Sequence, residues 1–229
     1  MYLNSMTSTS SQLTHPALRI RPPNNHDLTS IPARFQRTVI NAISSTSVAV
    51  DATTSAPSSI GSSTAAAATT SASVGKKQTF TFDQVHGPAT TQHAIYTTTA
   101  LPLISHFIEG FNCTILAYGQ TSSGKTFTMT GIDLDGDPMD PSNSMGIIPR
   151  AISHIFTRCR ELKEERGTSW NYNIKGSFIE IYNEDLLDLL SGDGSGAKTL
   201  VQIREDKQGH IIWEGLREVN VKNSQEVMK

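Results

Sequence analysis

Apolar and polar residues alternate in two registers along the chain, one of period two and one of helical period. Ala17-Leu-Arg-Ile-Arg21 and Thr79-Phe-Thr-Phe-Asp83 alternate strictly and predict half-exposed strands, the first ended by Pro22-Pro23. Shorter strands are expected over Phe35–Ile40 and Ser47–Asp51. A long strand is expected over Tyr172–Tyr182, with others over Leu200–Arg204 and His210–Val221. Residues Asn183–Leu190 turn out of the long strand, and Gly192–Gly196 reads as a hairpin-type loop. Helical spacing appears from Thr91 to Glu109, where Tyr96, Ala100, Leu103, Ile104, Phe107 and Ile108 share a face and Gly110 provides a stop. Pro102 lies inside that pattern and costs about 3 kcal/mol unless the helix kinks there. A second helix opens near Pro149 and carries Ile148, Ile152, Ile155, Phe156, Cys159 and Leu162 on one face, ending in a charged stretch before Gly167. Asn223-Ser-Gln-Glu226 has the spacing of a helix cap with its reciprocal partner. A helix capped three residues before the last position is expected of a fragment.

One run breaks the alternation. Cys113-Thr-Ile-Leu-Ala-Tyr118 is apolar and β-branched throughout, the pattern of a strand buried on both faces. Directly after it come Gly119, Gln120, Thr121, Ser122, Ser123, Gly124, Lys125 and Thr126, which spell G-x-x-x-x-G-K-T. Glycines let a loop turn its backbone N–H groups inward on phosphate oxygens. A lysine supplies the cation for the β- and γ-phosphates, and the threonine hydroxyl can ligate Mg²⁺. Thr126-Phe-Thr-Met-Thr130 then runs without a breaker to Gly131 and begins a helix. Strand, glycine loop and helix are the context the motif needs. An ordinary Gly/Ser turn has no use for the Lys-Thr pair at its end.

Composition changes this picture in three places. From Ala52 to Gly75 the sequence is almost entirely Ser, Thr and Ala, so these residues are expected to form a low-complexity loop insertion outside the core. Residues 1–15 are Ser/Thr-rich and are expected to be disordered. A net charge of −2 argues against a general nucleic-acid or membrane-surface binder, and no apolar run is long enough to cross a membrane. The two cysteines, Cys113 and Cys159, lack metal or redox spacing and read as buried thiols of a cytosolic protein. His86, His93, His106, His154 and His210 show no ligand spacing and read as surface or interface residues. The acidic stretch Asp133–Ser144 does not fit a calcium loop, because Gly136 comes too early, and reads as solvated.

Six blocks in order resemble the kinesin motor domain: Leu18-Arg-Ile-Arg-Pro22, Phe82-Asp-Gln-Val85, Glu109-Gly-Phe-Asn112, Ala117-Tyr-Gly-Gln-Thr-Ser-Ser-Gly-Lys-Thr126, Gly146-Ile-Ile-Pro-Arg150 and Phe178-Ile-Glu-Ile-Tyr-Asn183. The resemblance implies a three-layer α/β P-loop NTPase fold, with residues 16–229 a partial motor domain that stops before the switch segments. It implies an ATP site with Mg²⁺, an adenine pocket of Arg19, Arg21 and Pro22, and Phe127 stacking on the purine where relatives often carry His or Tyr. Without the resemblance, Arg19 and Arg21 read as the solvated face of an edge strand. It also implies that Lys207, Arg217 and Lys222 meet the acidic surface of tubulin, although interleaved Glu205, Asp206, Glu214 and Glu218 fit an ordinary mixed surface as well.

The family's two γ-phosphate-sensing motifs, N-x-x-S-S-R-S-H and D-x-x-G-x-E, do not occur. Ser44-Ser-Thr-Ser47 and Asp185-Leu-Leu-Asp188 lack their defining residues. No catalytic residue is therefore assigned. The function expected of the parent protein is ATP-driven movement on microtubules, in the cytoplasmic cytoskeleton. One alternative is a non-motor nucleotide-binding or interaction protein derived from a kinesin. Another is a small-molecule kinase, which would need an acceptor site and an Arg-rich lid that the sequence does not display.

Overall fold

A computed structural model describes residues 2–7, 13–23, 29–30, 32, 38–52, 76–132, 136–191 and 199–227. It divides into two compact units, Met1–Ala151 and Ile152–Lys229. The expected insertion beyond Ala52, residues 33–37 and the expected loop 192–196 lie outside the described residues.

The first unit is built on a five-stranded sheet made of β1 (Tyr2–Thr7), β2 (Leu13–Thr14), β3 (Ala17–Arg19), β7 (Gln84–His86) and β8 (Cys113–Tyr118). Strand β1 pairs antiparallel with β2, β3 and β8, with Tyr2 opposite Tyr118 and Thr7 opposite Cys113. This corrects the expectation of a disordered N-terminus for those residues. Ser/Thr composition says little against a strand whose hydrogen bonds come from the main chain. Strand β3 pairs parallel with β7, placing Arg19 beside His86. A separate antiparallel sheet joins β4 (Ile40–Ala42), β5 (Ser47–Ala52) and β6 (Lys76–Thr81).

Strand β8 has the predicted limits but not the predicted burial. Its residues alternate half-buried and exposed, and Leu116 and Tyr118 are 55% and 67% exposed. Ile115 and Ala117 pack against the core of Ala17, Ile95, Tyr96, Ala100 and Ile147, while Leu116 and Tyr118 lie on the more exposed face.

The helical stretch 92–108 consists of α1 (Gln92–Ile95), a π-helical turn (Tyr96–Ala100) and α2 (Leu101–Ile108). Thr91 caps it, its Oγ1 accepting from Ala94 N at 3.1 Å. The distortion falls where Pro102 requires one. Thr98 O, the carbonyl four residues before the proline, instead accepts Gln84 Nε2 at 3.1 Å. Tyr96, Ala100, Leu103 and Ile104 are buried as expected, but Phe107 is exposed. Helix α3 (Lys125–Met129) follows the glycine loop, and α4 (Ile147–Arg166) is the second long helix. Ile147 is buried in its first turn, whereas Ile148 is exposed.

In the second unit, the C-terminal part of α4 buries Phe156, Cys159 and Leu162. The single strand expected over 172–182 is two strands with different partners. β9 (Lys175–Gly176) pairs with β15 (Val219–Asn220), and β10 (Ile179–Tyr182) pairs with β11 (Asp185–Asp188). Asn183 and Glu184, at φ 47° and 72°, make the two-residue turn of that hairpin. Strand β12 (Thr199–Leu200) extends the β10–β11 sheet, and β13 (Gln202–Glu205) with β14 (Ile211–Glu214) forms a second hairpin. Helix α5 (Ser224–Val227) has the predicted cap: Glu226 N donates to Asn223 Oδ1 at 3.0 Å, and Asn223 Nδ2 donates to Glu226 Oε1 at 3.3 Å.

Candidate functional site

The glycine loop leaves β8 at Gly119 and enters α3 at Lys125. Ser122 and Gly124 take left-handed conformations, φ 63° and 97°, on either side of Ser123. Such alternation turns neighbouring main-chain dipoles toward one concavity, a geometry suited to anions. Ser123 N donates to Gln120 O at 3.2 Å and closes the turn. Lys125 Nζ reaches back to Gly119 O and Gln120 O, both at 2.8 Å. Ser123 Oγ is buried and has no hydrogen-bond partner among the described residues. A buried hydroxyl in the same loop as a lysine ammonium that is held by two neutral carbonyls suits a phosphate oxygen. Thr126 is exposed at the start of α3.

Arg19 and Phe127 meet beside this loop. The guanidinium carbon sits 5.1 Å from the ring centroid. Arg19 Nη1 donates to Gln92 Oε1 and to Thr128 Oγ1, each at 2.7 Å, and Nη2 to Thr90 O at 3.5 Å. At 9% exposure, Arg19 does not lie on the solvated face of an edge strand, since β3 has neighbours on both sides. Burial draws its pKa below the ordinary value. Arg21 is exposed and donates to Ser122 O at 2.9 Å, which ties it to the glycine loop, while Pro22 is exposed next to it. Arg19, Arg21, Pro22, Gly119, Gln120, Ser122 and Ser123 line one cavity of about 710 Å³, together with apolar residues of β5 and β6.

The surroundings correct two expectations. His86 is buried, with Nε2 3.2 Å from Thr99 Oγ1, and burial followed by the charge of Arg19 lowers its pKa. The loop after α3 is not merely solvated. Arg150, with no exposed surface, donates to Met145 O (3.1 Å), Pro138 O (2.6 Å), Asp140 O (3.1 Å), Asn143 O (3.3 Å) and Asn143 Oδ1 (2.5 Å). His93 Nδ1 lies 3.4 Å from the same guanidinium, so that ring nitrogen acts as acceptor. Hydrogen bonds from Ser142 hold the Asp140 carboxyl below its ordinary pKa, and burial pushes the Tyr96 phenol up to about 12. Gln92, Thr128 and Arg150 carry no local mark of their roles in the sequence. Their partners lie far along the chain, and the one local signal is the helix cap at Thr91.

Lys207 is exposed in the turn of the β13–β14 hairpin, and Lys222 is exposed before α5. Arg217 is exposed and also bonds within the fold. Its N–H donates to Asp188 Oδ2 and its Nη1 to Leu190 O, each at 3.0 Å. Among the described residues there is no cluster of three His, Cys, Asp or Glu able to hold a metal, and no helix long and apolar enough to cross a membrane.

The family model for the kinesin motor domain matches residues 19–229. The chain belongs to the kinesin motor domain family. Kinesin-like protein Klp61F of Drosophila melanogaster is 41% identical over 155 residues, covering 66% of this chain and 14% of that protein. Kinesin-like protein KIF27 of Homo sapiens is 43% identical over 155 residues, covering 68% and 10%. A solved fast kinesin superposes with a TM-score of 0.68 at 26% identity, over 92% of this chain and 49% of the other. The fold is therefore that of a kinesin-type P-loop NTPase, and this kinesin chain spans about half of the solved motor and a small part of its curated relatives.

Proposed function

We propose that this chain is the ATP- and Mg²⁺-binding part of a motor that couples ATP hydrolysis to movement along microtubules in the cytoplasm. The observation that carries the reading is the buried Ser123 hydroxyl, unpartnered among the described residues, inside a loop curved at Ser122 and Gly124 and closed by the Lys125 ammonium. When bound, the Mg²⁺–nucleotide supplies the phosphoryl group whose transfer to water drives such a motor. Main-chain N–H groups of Gly119, Gln120, Thr121, Ser122 and Gly124, together with the Ser123 hydroxyl, cradle the phosphates. Lys125 neutralises their charge, Thr126 ligates the metal, and Arg19, Arg21, Pro22 and Phe127 flank the base. Lys207 and Lys222 offer exposed cations to tubulin; Arg217 contributes less, since its guanidinium is already bonded to Leu190 O.

Calorimetric titration with ATP tests this reading. Lys125→Ala should weaken binding by about 100-fold, the loss of a charge-assisted contact of roughly 2–3 kcal/mol. Thr126→Ala should weaken it in a way that excess Mg²⁺ partly restores. Wild-type affinity in both variants would overturn the assignment.

A further inference from the structure

We infer that Gln92 is the positioning residue for base recognition in this site, an inference that rests on the nucleotide reading above. Gln92 is the first residue of α1, held there by the Thr91 cap, and is 6% exposed. Its amide meets three fixed partners. Oε1 accepts from Arg19 Nη1 at 2.7 Å, while Nε2 donates to Phe127 O at 2.5 Å and to Ser144 O at 3.3 Å. The amide orientation is determined by chemistry. A guanidinium only donates and a main-chain carbonyl only accepts, so the flipped amide would face a donor with donors and two acceptors with an acceptor.

The two bonds that matter go to the two members of one pair. Through Oε1, Gln92 fixes the edge of the Arg19 guanidinium. Through Nε2, it fixes the backbone of the residue whose ring lies under that guanidinium, 5.1 Å away. It also satisfies a carbonyl in the last turns of α3, where helix carbonyls lack intrahelical partners. Arg19 and Phe127 lie on different elements, β3 and α3, and Phe127 is partly exposed. A flat cation and an aromatic ring discriminate a base only while they keep their mutual angle, and Gln92 is bonded to both. Thr128 Oγ1 holds the same Arg19 nitrogen from the α3 side and completes the clamp.

The test separates base recognition from phosphate binding. The 229-residue chain and its Gln92→Met and Gln92→Glu variants are titrated with Mg²⁺-ATP and with Mg²⁺-tripolyphosphate, which has the phosphates and no base. In wild type, ATP should bind more tightly than tripolyphosphate, stacking on one base being worth about tenfold or more. Gln92→Met, nearly isosteric and without hydrogen bonds, should lose most of that ratio while tripolyphosphate affinity stays within about twofold. Gln92→Glu keeps the acceptor for Arg19 and loses the donors to Phe127 O and Ser144 O, so its ratio should fall in between. An unchanged ratio in both variants, or equal losses for the two ligands, overturns the inference while leaving the phosphate site standing. Failure of wild type to bind either ligand overturns the nucleotide reading itself and this inference with it. Loss of cooperative folding in both variants would make Gln92 a structural residue and also overturn it.

Discussion

Replacing Gly146 with alanine should destabilise the chain by about 3 kcal/mol, the sum of an overpacking cost and a lost hydrogen bond. After α3 the main chain leaves at Gly131 and returns at Met145–Gly146, with a bridge between Gly131 and Met145. Gly146 N donates to Thr130 O at 3.0 Å, and Ile132 N to Ser144 O at 3.3 Å. A Cβ on Gly146 would lie 2.5 Å from both Met129 C and Met129 O and 2.7 Å from Thr128 O. All three are backbone atoms of the turn that holds Thr128 against Arg19, so no flexible side-chain end can yield. Relief requires the returning strand to move out. Overpacking costs about 1–3 kcal/mol, and losing the Gly146 N bond adds roughly 1 kcal/mol. Against a total stability of about 5–15 kcal/mol, the urea midpoint should fall clearly with an unchanged slope, and Tm should drop by about 6–12 °C. Gly87→Ala is the control, because a Cβ there meets nothing within 4 Å. If Gly146→Ala melts within about 0.5 kcal/mol of Gly87→Ala, the close crossing is not a real constraint and the reasoning fails.

Other outcomes follow from the same structure. Deleting Thr53 to Val74 should leave the urea midpoint nearly unchanged, since loop length changes closure entropy by only about 0.6 kcal/mol per doubling; a collapse in soluble yield would show that the tract belongs to the core. The outer edge of β8 has no pairing strand among the described residues, and Leu116 is exposed. Leu116→Lys should therefore reduce concentration-dependent light scattering while changing stability by no more than about 0.5 kcal/mol. His86 has a pKa held below its ordinary 6.5 by burial and by Arg19. The unfolded chain takes that proton more readily, so the His86 contribution to stability is complete above pH 6.5 and declines as pH falls through 6.5 toward the folded value. Urea melts from about pH 7.5 to about pH 5 should show a steeper acid loss in wild type than in His86→Gln, and parallel curves would contradict the burial argument.

The phosphate loop and its flanking strand were legible because their information is local. Cys113–Tyr118 has strand-forming residues bounded by glycine, and the loop's chemistry is written in eight consecutive positions. The capped helix at Ser224 was legible for the same reason. What the sequence concealed depends on distant partners. Arg19 looked solvated because nothing nearby announces that Gln92 and Thr128 will surround it. Arg150 looked like one more helix charge, yet it organises a loop of carbonyls ahead of its own helix. The stretch 172–182 reads as one strand by residue type, whereas its two halves find separate partners, a fact set by tertiary pairing. The exposure of Leu116 and Tyr118 likewise reflects what packs on the sheet, not what the strand contains.

The π-helical turn at Tyr96–Ala100 also sets a rotational phase. In an unbroken α-helix each residue advances by about 100°, and nine residues apart, Ile95 and Ile104 would point to nearly opposite sides. A turn closed by i→i+5 bonds advances by only roughly 80° per residue, and five such steps take back about 100°. That swing brings Ile104 round toward the side of Ile95, and both are buried, at 8% and 0% exposure. The turn thus holds one residue more than an α-helix with the same buried stripe would need. A chain that lost one of Thr97, Thr98 or Thr99 could keep the stripe in plain α geometry, but Pro102 would then press on the carbonyl before it. The surplus residue and the proline are a matched pair, and a viable deletion here requires replacing Pro102 as well.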